Sequence, residues 1–302
     1  MYIEQLKNKN FNQILYLLVI LGFFGFMLIN TIFSQGVDIN QTMKTLIAQI
    51  GVNAAFVLMI CPLSFFCLGL LFWVKIVHRQ SITSFTTGRK AIDWKRVFFS
   101  FGLWSSITII TTIIGYFAEP ENFVVNFNIT NFVIFLVLAI VLIPLQTSFE
   151  EYLFRGYLMQ YLGITFNSRL IPFLTSSILF GLMHAMNPEV EKLGYIMMVY
   201  YIGTGFLLGI MTLMDDGLEL SLGFHAANNL IGALLVTSDW SALQTHSILK
   251  DISEPSAGFD IILPVVTIYP ILLFILSKKY GWTNWKEKLT GKLQEYQTDK
   301  TF

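Results

Sequence analysis

The feature that most constrains this chain is a series of apolar windows, each close to the length needed to cross a hydrocarbon layer. A membrane-spanning helix takes about 20 largely apolar residues. Such windows fall at 10–37, 45–74, 97–118, 122–149, 170–188, 193–214, 220–239 and 261–277, and the one Asp, Glu, Lys or Arg inside them is Asp239, at the edge of the seventh. The last two have polar or short edges. The pattern predicts an all-α integral membrane protein, a bundle of about eight transmembrane helices. Charge supports this: 13% of the 302 residues are charged, against about 25% in an average soluble domain. A net charge of zero offers no electrostatic footprint for nucleic acid. No internal repeat is evident and no linker is long enough to set off a soluble domain. Residues 1–302 therefore read as a single polytopic membrane domain.

The first window follows Lys7 and Lys9, as in a secretory leader, but it is too long for a leader's apolar core and is expected to be a retained span. Orientation follows from the basic residues, which gather in cytoplasmic loops. With the N-terminus inside, Lys7, Lys9, Lys75, Arg79, Arg89, Lys90, Lys95, Arg96, Arg155, Arg169 and the six lysines from Lys278 onward are cytoplasmic, 16 of 19 basic residues. Lys44, Lys192 and Lys250 fall outside. Both termini are thus expected in the cytoplasm. Cys61 and Cys67 lie in one apolar stretch, about 9 Å apart along a helix axis, and read as small apolar residues.

An ionisable residue within a span is costly and marks function by default. Three places carry such residues. In Ser148-Phe-Glu-Glu-Tyr-Leu-Phe-Arg-Gly156, Glu151 and Arg155 stand at the i,i+4 spacing that favours a helical ion pair. Glu150 points about 100° away. That division leaves Glu151–Arg155 as a satisfied pair and Glu150 free to face a cavity as a general base. In Phe180-Gly-Leu-Met-His184 the phenylalanine and the histidine share a helical face. In His225-Ala-Ala-Asn-Asn229 the two ends share a face, Asn228 points elsewhere, and two donors on one side suit a developing oxyanion. Each motif alone is equally compatible with polar packing between helices.

Taken together the motifs converge. If the helix of Glu150 continues past Arg155 and turns near 163–169, then Glu150 and His184 each lie 17 residues from position 167 and meet at one level of an antiparallel hairpin. His225 lies about 12 Å along its helix from the Asp215-Asp216-Gly217 turn. Pro144 is placed to open a cavity before Glu150. Gly205 and Gly209 form a Gly-x3-Gly pair suited to close helix packing. His78 and His246 fall in loops without evident partners.

The three motifs, Glu150-Glu151-Tyr-Leu-Phe-Arg155, Phe180-Gly-Leu-Met-His184 and His225-Ala-Ala-Asn-Asn229, resemble the signature of the CAAX protease and bacteriocin-processing (CPBP, Abi) family of intramembrane peptidases. The resemblance covers roughly residues 130–240, a peptidase core. It implies an intramembrane endopeptidase acting on membrane-associated or prenylated (CAAX-type) proteins or peptide precursors. Glu150 and His184 would activate water, His225 and Asn229 would bind the oxyanion, and Glu151, Arg155 and Phe180 would support them. The family includes glutamate peptidases and metalloproteases. No metal is expected here. The alternative is zinc, which would be held by Glu150, His184 and His225.

The expected partners are a membrane protein or peptide substrate and the lipid bilayer. The expected location is a bacterial cytoplasmic membrane. Two other readings use the same residues: a non-catalytic membrane immunity or regulatory scaffold, and a proton-coupled transporter with Glu150 and His184 as a relay.

Overall fold

A computed structural model gives the fold, and it describes residues 1–6, 11–256 and 258–293. Lys7, Lys9 and Lys300, which entered the charge argument above, lie outside the described residues. The helices are α1 (Gln13–Phe33), α2 (Ile39–Ile50), α3 (Val52–Ile76), α4 (Ile82–Thr86) and α5 (Trp94–Ala118). Then comes α6 (Ile129–Glu151), which passes through a π-helical segment (Tyr152–Leu158) into α7 (Met159–Phe166). They are followed by α8 (Leu170–Leu182), α9 (Pro188–Leu193), α10 (Met197–Asp215), α11 (Glu219–Leu235), α12 (Tyr269–Tyr280, preceded by a π turn at Pro264–Ile268) and α13 (Trp285–Thr290).

The chain is a predominantly helical membrane protein. Among the described residues, five helices are long and apolar enough to cross a membrane: Gln13–Phe33, Val52–Ile76, Trp94–Ala118, Ile129–Phe166 and Met197–Asp215. The other three apolar windows are also helical but shorter, at Leu170–Leu182, Glu219–Leu235 and residues 264–280. The second window divides. Gly51 takes φ 81°, a left-handed conformation that ends α2 and starts α3. Several helices begin where a side-chain oxygen caps the first turn: Asn12 accepts from the Ile14 N–H, Asp38 from Gln41, Asp93 from Lys95 and Asn128 from Asn131.

Burial follows helical periodicity. On α6, Val137, Ile140 and Val141 are exposed where lipid would lie, whereas Phe135, Ala139 and Ile143 are buried against Phe56 and Ile60 of α3. One turn further on, the same buried stripe becomes polar, with Gln146, Thr147, Glu150 and Glu151. The predicted hairpin forms: residues 129–166 are one continuous helix, Asn167 closes it with φ 47°, and α8 returns beside α7.

Two glycines allow close approach of backbones. A Cβ on Gly205 of α10 would lie 2.3 Å from the Ser177 carbonyl oxygen of α8, and one on Gly223 of α11 would lie 2.1 Å from the Val97 carbonyl oxygen of α5. A Cβ on Gly209, one turn after Gly205, would likewise lie 2.9 Å from the Phe173 ring of α8, so the Gly-x3-Gly pair is a packing device.

The two ends of the bundle differ. At one, Arg89 pairs with Asp215 at 2.9 Å and Glu219 at 3.1 Å, Lys288 pairs with Asp216 at 2.8 Å, and Arg96 also reaches Asp215. Asp215 thus ties the end of α10 to α5 and to the segment that leads into it. At the other, three short strands form a sheet in the order β1 (Phe123–Val125), β3 (Leu249–Asp251), β2 (Val236–Ser238). The apolar windows gave no sign of this sheet.

Candidate active site

The polar end of the α6 stripe meets α11 inside the bundle. Glu150 and Glu151 are 4% and 0% exposed, and His225 is 4% exposed. Glu151 does more than pair with Arg155. Its Oε1 accepts from Arg155 Nη1 at 3.0 Å and from His225 Nδ1 at 2.8 Å. This fixes the proton of His225 on Nδ1 and turns Nε2 toward Glu150, whose Oε2 is 3.7 Å away. Arg155 is completed by the Gly205 carbonyl at 3.0 Å and by the face of Phe180, 4.2 Å from the guanidinium carbon.

The π-helical segment lies where these contacts are made. A wider turn directly after Glu151 is a common feature of functional sites, because it re-aims side chains without ending the helix. Gly156 within it leaves room for the Phe85 ring, whose nearest carbon would be 2.9 Å from an added Cβ.

His184 differs from its expected setting. α8 ends at Leu182, and His184 occupies the following turn, half-buried, with its backbone N–H bonded to Gly181 at 3.0 Å. The ring is nevertheless held. Nδ1 donates to the Phe180 carbonyl at 2.8 Å, and Tyr201 stacks on it at 4.5 Å. A carbonyl can only accept, so Nδ1 carries the hydrogen and Nε2 presents a lone pair. Phe180 packs between the two histidines, with ring centroids 5.0 Å from His184 and 5.7 Å from His225. No direct hydrogen bond joins His184 to Glu150 or His225.

Asn229 is joined to Glu150 through a residue that the motifs do not contain. Its Nδ2 donates to Gln146 Oε1 at 3.3 Å, and Gln146 Nε2 donates to Glu150 Oε1. Gln146 was legible as an amide inside an apolar window one turn before Glu150, a signal that passed unused. Asn228, which the sequence places off the His225–Asn229 face, contacts Asn229, and Tyr201, which no motif contains, stacks on His184. His78 is not a free loop residue. It is buried, with its Nε2 3.2 Å from the Trp73 indole nitrogen and 2.7 Å from the Tyr157 hydroxyl oxygen.

Among the described residues, no three His, Cys, Asp or Glu side chains are grouped so as to hold a metal ion. Glu150, His184 and His225 therefore do not form an assembled zinc site in this arrangement. His184 donates Nδ1–H to the Phe180 carbonyl and keeps Nε2 as an acceptor, whereas His225, set between the Glu151 and Glu150 carboxylates, can carry hydrogens on both nitrogens; together they are suited to binding a polarised water.

Residues 129–231 match the family model for type II CAAX prenyl endopeptidase Rce1-like proteins. That stretch contains Glu150, Glu151, Arg155, Phe180, His184, His225 and Asn229. The chain is 30% identical over 170 residues to the uncharacterized protein YyaK of Bacillus subtilis (strain 168), an alignment covering 56% of this chain and 57% of that relative. It thus spans little more than half the length of this curated relative. No solved structure matches significantly. On this evidence residues 129–231 carry an Rce1-like domain, consistent with the CPBP family resemblance of the three motifs.

Proposed function

We propose that this chain is an intramembrane endopeptidase that uses Glu150 to activate water. The observation that carries the reading is the division of labour between the two adjacent carboxylates. Glu151 engages both Arg155 and His225 through Oε1, and its own Oε2, like that of Glu150, has no hydrogen-bond partner, so what sets Glu150 apart is that it is free of Arg155 and faces His225 Nε2. Glu150 has one oxygen engaged by Gln146 and the other, Oε2, buried without a hydrogen-bond partner, beside His225 Nε2. A buried carboxylate oxygen without a donor is costly unless something is meant to occupy the space next to it. A water there can give its proton to Glu150 Oε2 as its oxygen attacks the peptide carbonyl carbon. The new oxyanion receives hydrogen bonds from protonated His225 Nε2 and from Asn229 Nδ2. The Glu151 carboxylate stabilises the His225 imidazolium from the far side. Glu150 then passes its proton to the amine as the carbon–nitrogen bond breaks. His184, with its tautomer fixed by Phe180, accepts from the water through Nε2 and orients it.

In this reading no metal takes part, and the substrate is a membrane-associated or prenylated protein or a peptide precursor. The setting is a bacterial cytoplasmic membrane with both termini in the cytoplasm. Fourteen of the sixteen basic residues assigned to that side lie between Lys75 and Lys288 or belong to the tail, in step with the charged end of the bundle. The test is incubation of the purified protein with membrane-anchored and prenylated peptides in water enriched in heavy oxygen, with products read by mass spectrometry. One heavy oxygen is expected in each new C-terminal carboxylate. A folded protein that cleaves none of the panel contradicts the proposal. Activity that is lost on chelation and returns with one equivalent of zinc contradicts the metal-free chemistry.

A further inference from the structure

A chain of side chains runs from α5 to Glu150, and it has a direction. Trp104 Nε1 on α5 donates to Asn228 Oδ1 at 3.1 Å, and the Tyr200 hydroxyl of α10 approaches the same oxygen at 3.5 Å. Asn228 Nδ2 donates to Asn229 Oδ1 at 3.1 Å, Asn229 Nδ2 donates to Gln146 Oε1 at 3.3 Å, and Gln146 Nε2 donates to Glu150 Oε1. Three of these groups are carboxamides, each of which could in principle sit either way round. The two ends remove that freedom. An indole N–H only donates, so it requires the oxygen of Asn228. An ionised carboxylate only accepts, so it requires the nitrogen of Gln146. Both ends demand the same polarity. Turning over any one amide would set two nitrogens or two oxygens against each other.

Burial makes this polarity costly to reverse. Trp104 is 6% exposed and stacks near Phe224 at 4.3 Å, and Gln146 is 5% exposed. Asn228 and Asn229 between them are half-buried, so the cost of a mismatched pair is greatest at the buried Gln146–Glu150 end, where a lost hydrogen bond is not readily replaced by water.

We propose that Gln146, backed by Asn228 and Trp104, is a positioning residue that locks the base and the oxyanion donor into one unit. Gln146 occupies Glu150 Oε1, so that Oε2 is the oxygen left facing His225. It also holds the Asn229 carboxamide with its NH2 turned toward the same space. Two groups with different tasks, carried on α6 and α11, thereby keep a fixed separation. The catalytic consequence rests on the peptidase reading, whereas the direction of the chain does not.

The experiment therefore has an arm that needs no substrate. Side-chain amide signals of the nitrogen-15-labelled protein in detergent micelles are assigned by their loss in Gln146→Leu and Asn228→Leu. The expected result is that Glu150→Gln shifts the Gln146 signal, Gln146→Leu shifts the Asn229 signal, and Trp104→Phe shifts the Asn228 signal. A Gln146 signal at the position of a solvated amide, unmoved by Glu150→Gln, overturns the proposal. Trp104→Phe preserves the ring packing and supplies a readout if Gln146→Leu fails to fold. In the second arm, on a peptide that the wild type cleaves, Gln146→Leu is expected to lower kcat by about 10–100-fold with KM nearly unchanged, the scale of a small misplacement of reacting groups. Wild-type kcat in folded Gln146→Leu also overturns the proposal. Absence of cleavage by the wild type would instead count against the peptidase reading, and the amide signals would still decide the positioning.

Discussion

Replacing Glu151 with glutamine should separate stability from chemistry. The Glu151 and Arg155 side chains are both fully buried, and Arg155 has as its other contacts the Gly205 carbonyl and the Phe180 ring. Glu151→Gln keeps the shape but leaves the guanidinium charge without a counter-charge. Breaking a buried pair from one side costs about 3–5 kcal/mol. The low end is expected, because the new amide oxygen can still accept one hydrogen bond. Glu151→Gln combined with Arg155→Met removes both charges, and stability should return to within about 1–2 kcal/mol of wild type, since apolar replacement of a buried pair is often neutral. Activity should not return. His225 Nδ1 would still lack the carboxylate that fixes its tautomer and supports its charge, a loss on the order of 100-fold or more. Stability is read from the midpoint of unfolding by sodium dodecyl sulfate in mixed micelles, and activity from peptide cleavage. A single variant as stable as wild type would refute the buried-pair argument. A double variant that regains activity along with stability would show that Glu151 serves only the fold.

Two further outcomes follow from the packing. Gly205→Ala should destabilise by about 1–3 kcal/mol, because its Cβ would meet the Ser177 carbonyl at 2.3 Å and force α8 from α10; an unchanged unfolding midpoint would contradict this. His78 lies beyond the end of α3, and burial pushes its imidazole down to about 4. The unfolded chain therefore binds a proton more readily than the folded one as pH falls from about 6.5 toward 4, and stability should decline over that range. His78→Gln should flatten this decline, and an acid limb identical to wild type would show that His78 does not cause it.

The helices were legible because lipid demands long apolar runs, and the hairpin at 167 because Glu150 and His184 flank it symmetrically. Other features depend on contacts that no periodicity encodes. Residues 39–50 blend into the following apolar run, and the break at Gly51 is visible only in its left-handed backbone. The motifs identified Glu150, Glu151, His225 and Asn229 as polar residues worth attention. The bridging of Glu151 between Arg155 and His225 depends on how α11 is rotated against α6, which spacing within one helix does not specify. Asn228 was set aside for pointing away from the His225–Asn229 face. It does so, and for that reason it reaches Trp104 on α5 while supporting Asn229 from behind. His184 was placed on a helix, whereas the chain has already turned out of α8, two residues after Phe180.

The most direct test of the central claim is the single-turnover cleavage rate of Glu150→Gln beside wild type, on one membrane-anchored peptide under saturating protein. Glutamine keeps the shape of the side chain and can still bond to Gln146, but it cannot take a proton from water. The account predicts a folded variant whose rate falls by about 100–10,000-fold, the contribution of a general base. Cleavage at the wild-type rate would contradict it and move the base elsewhere in the site.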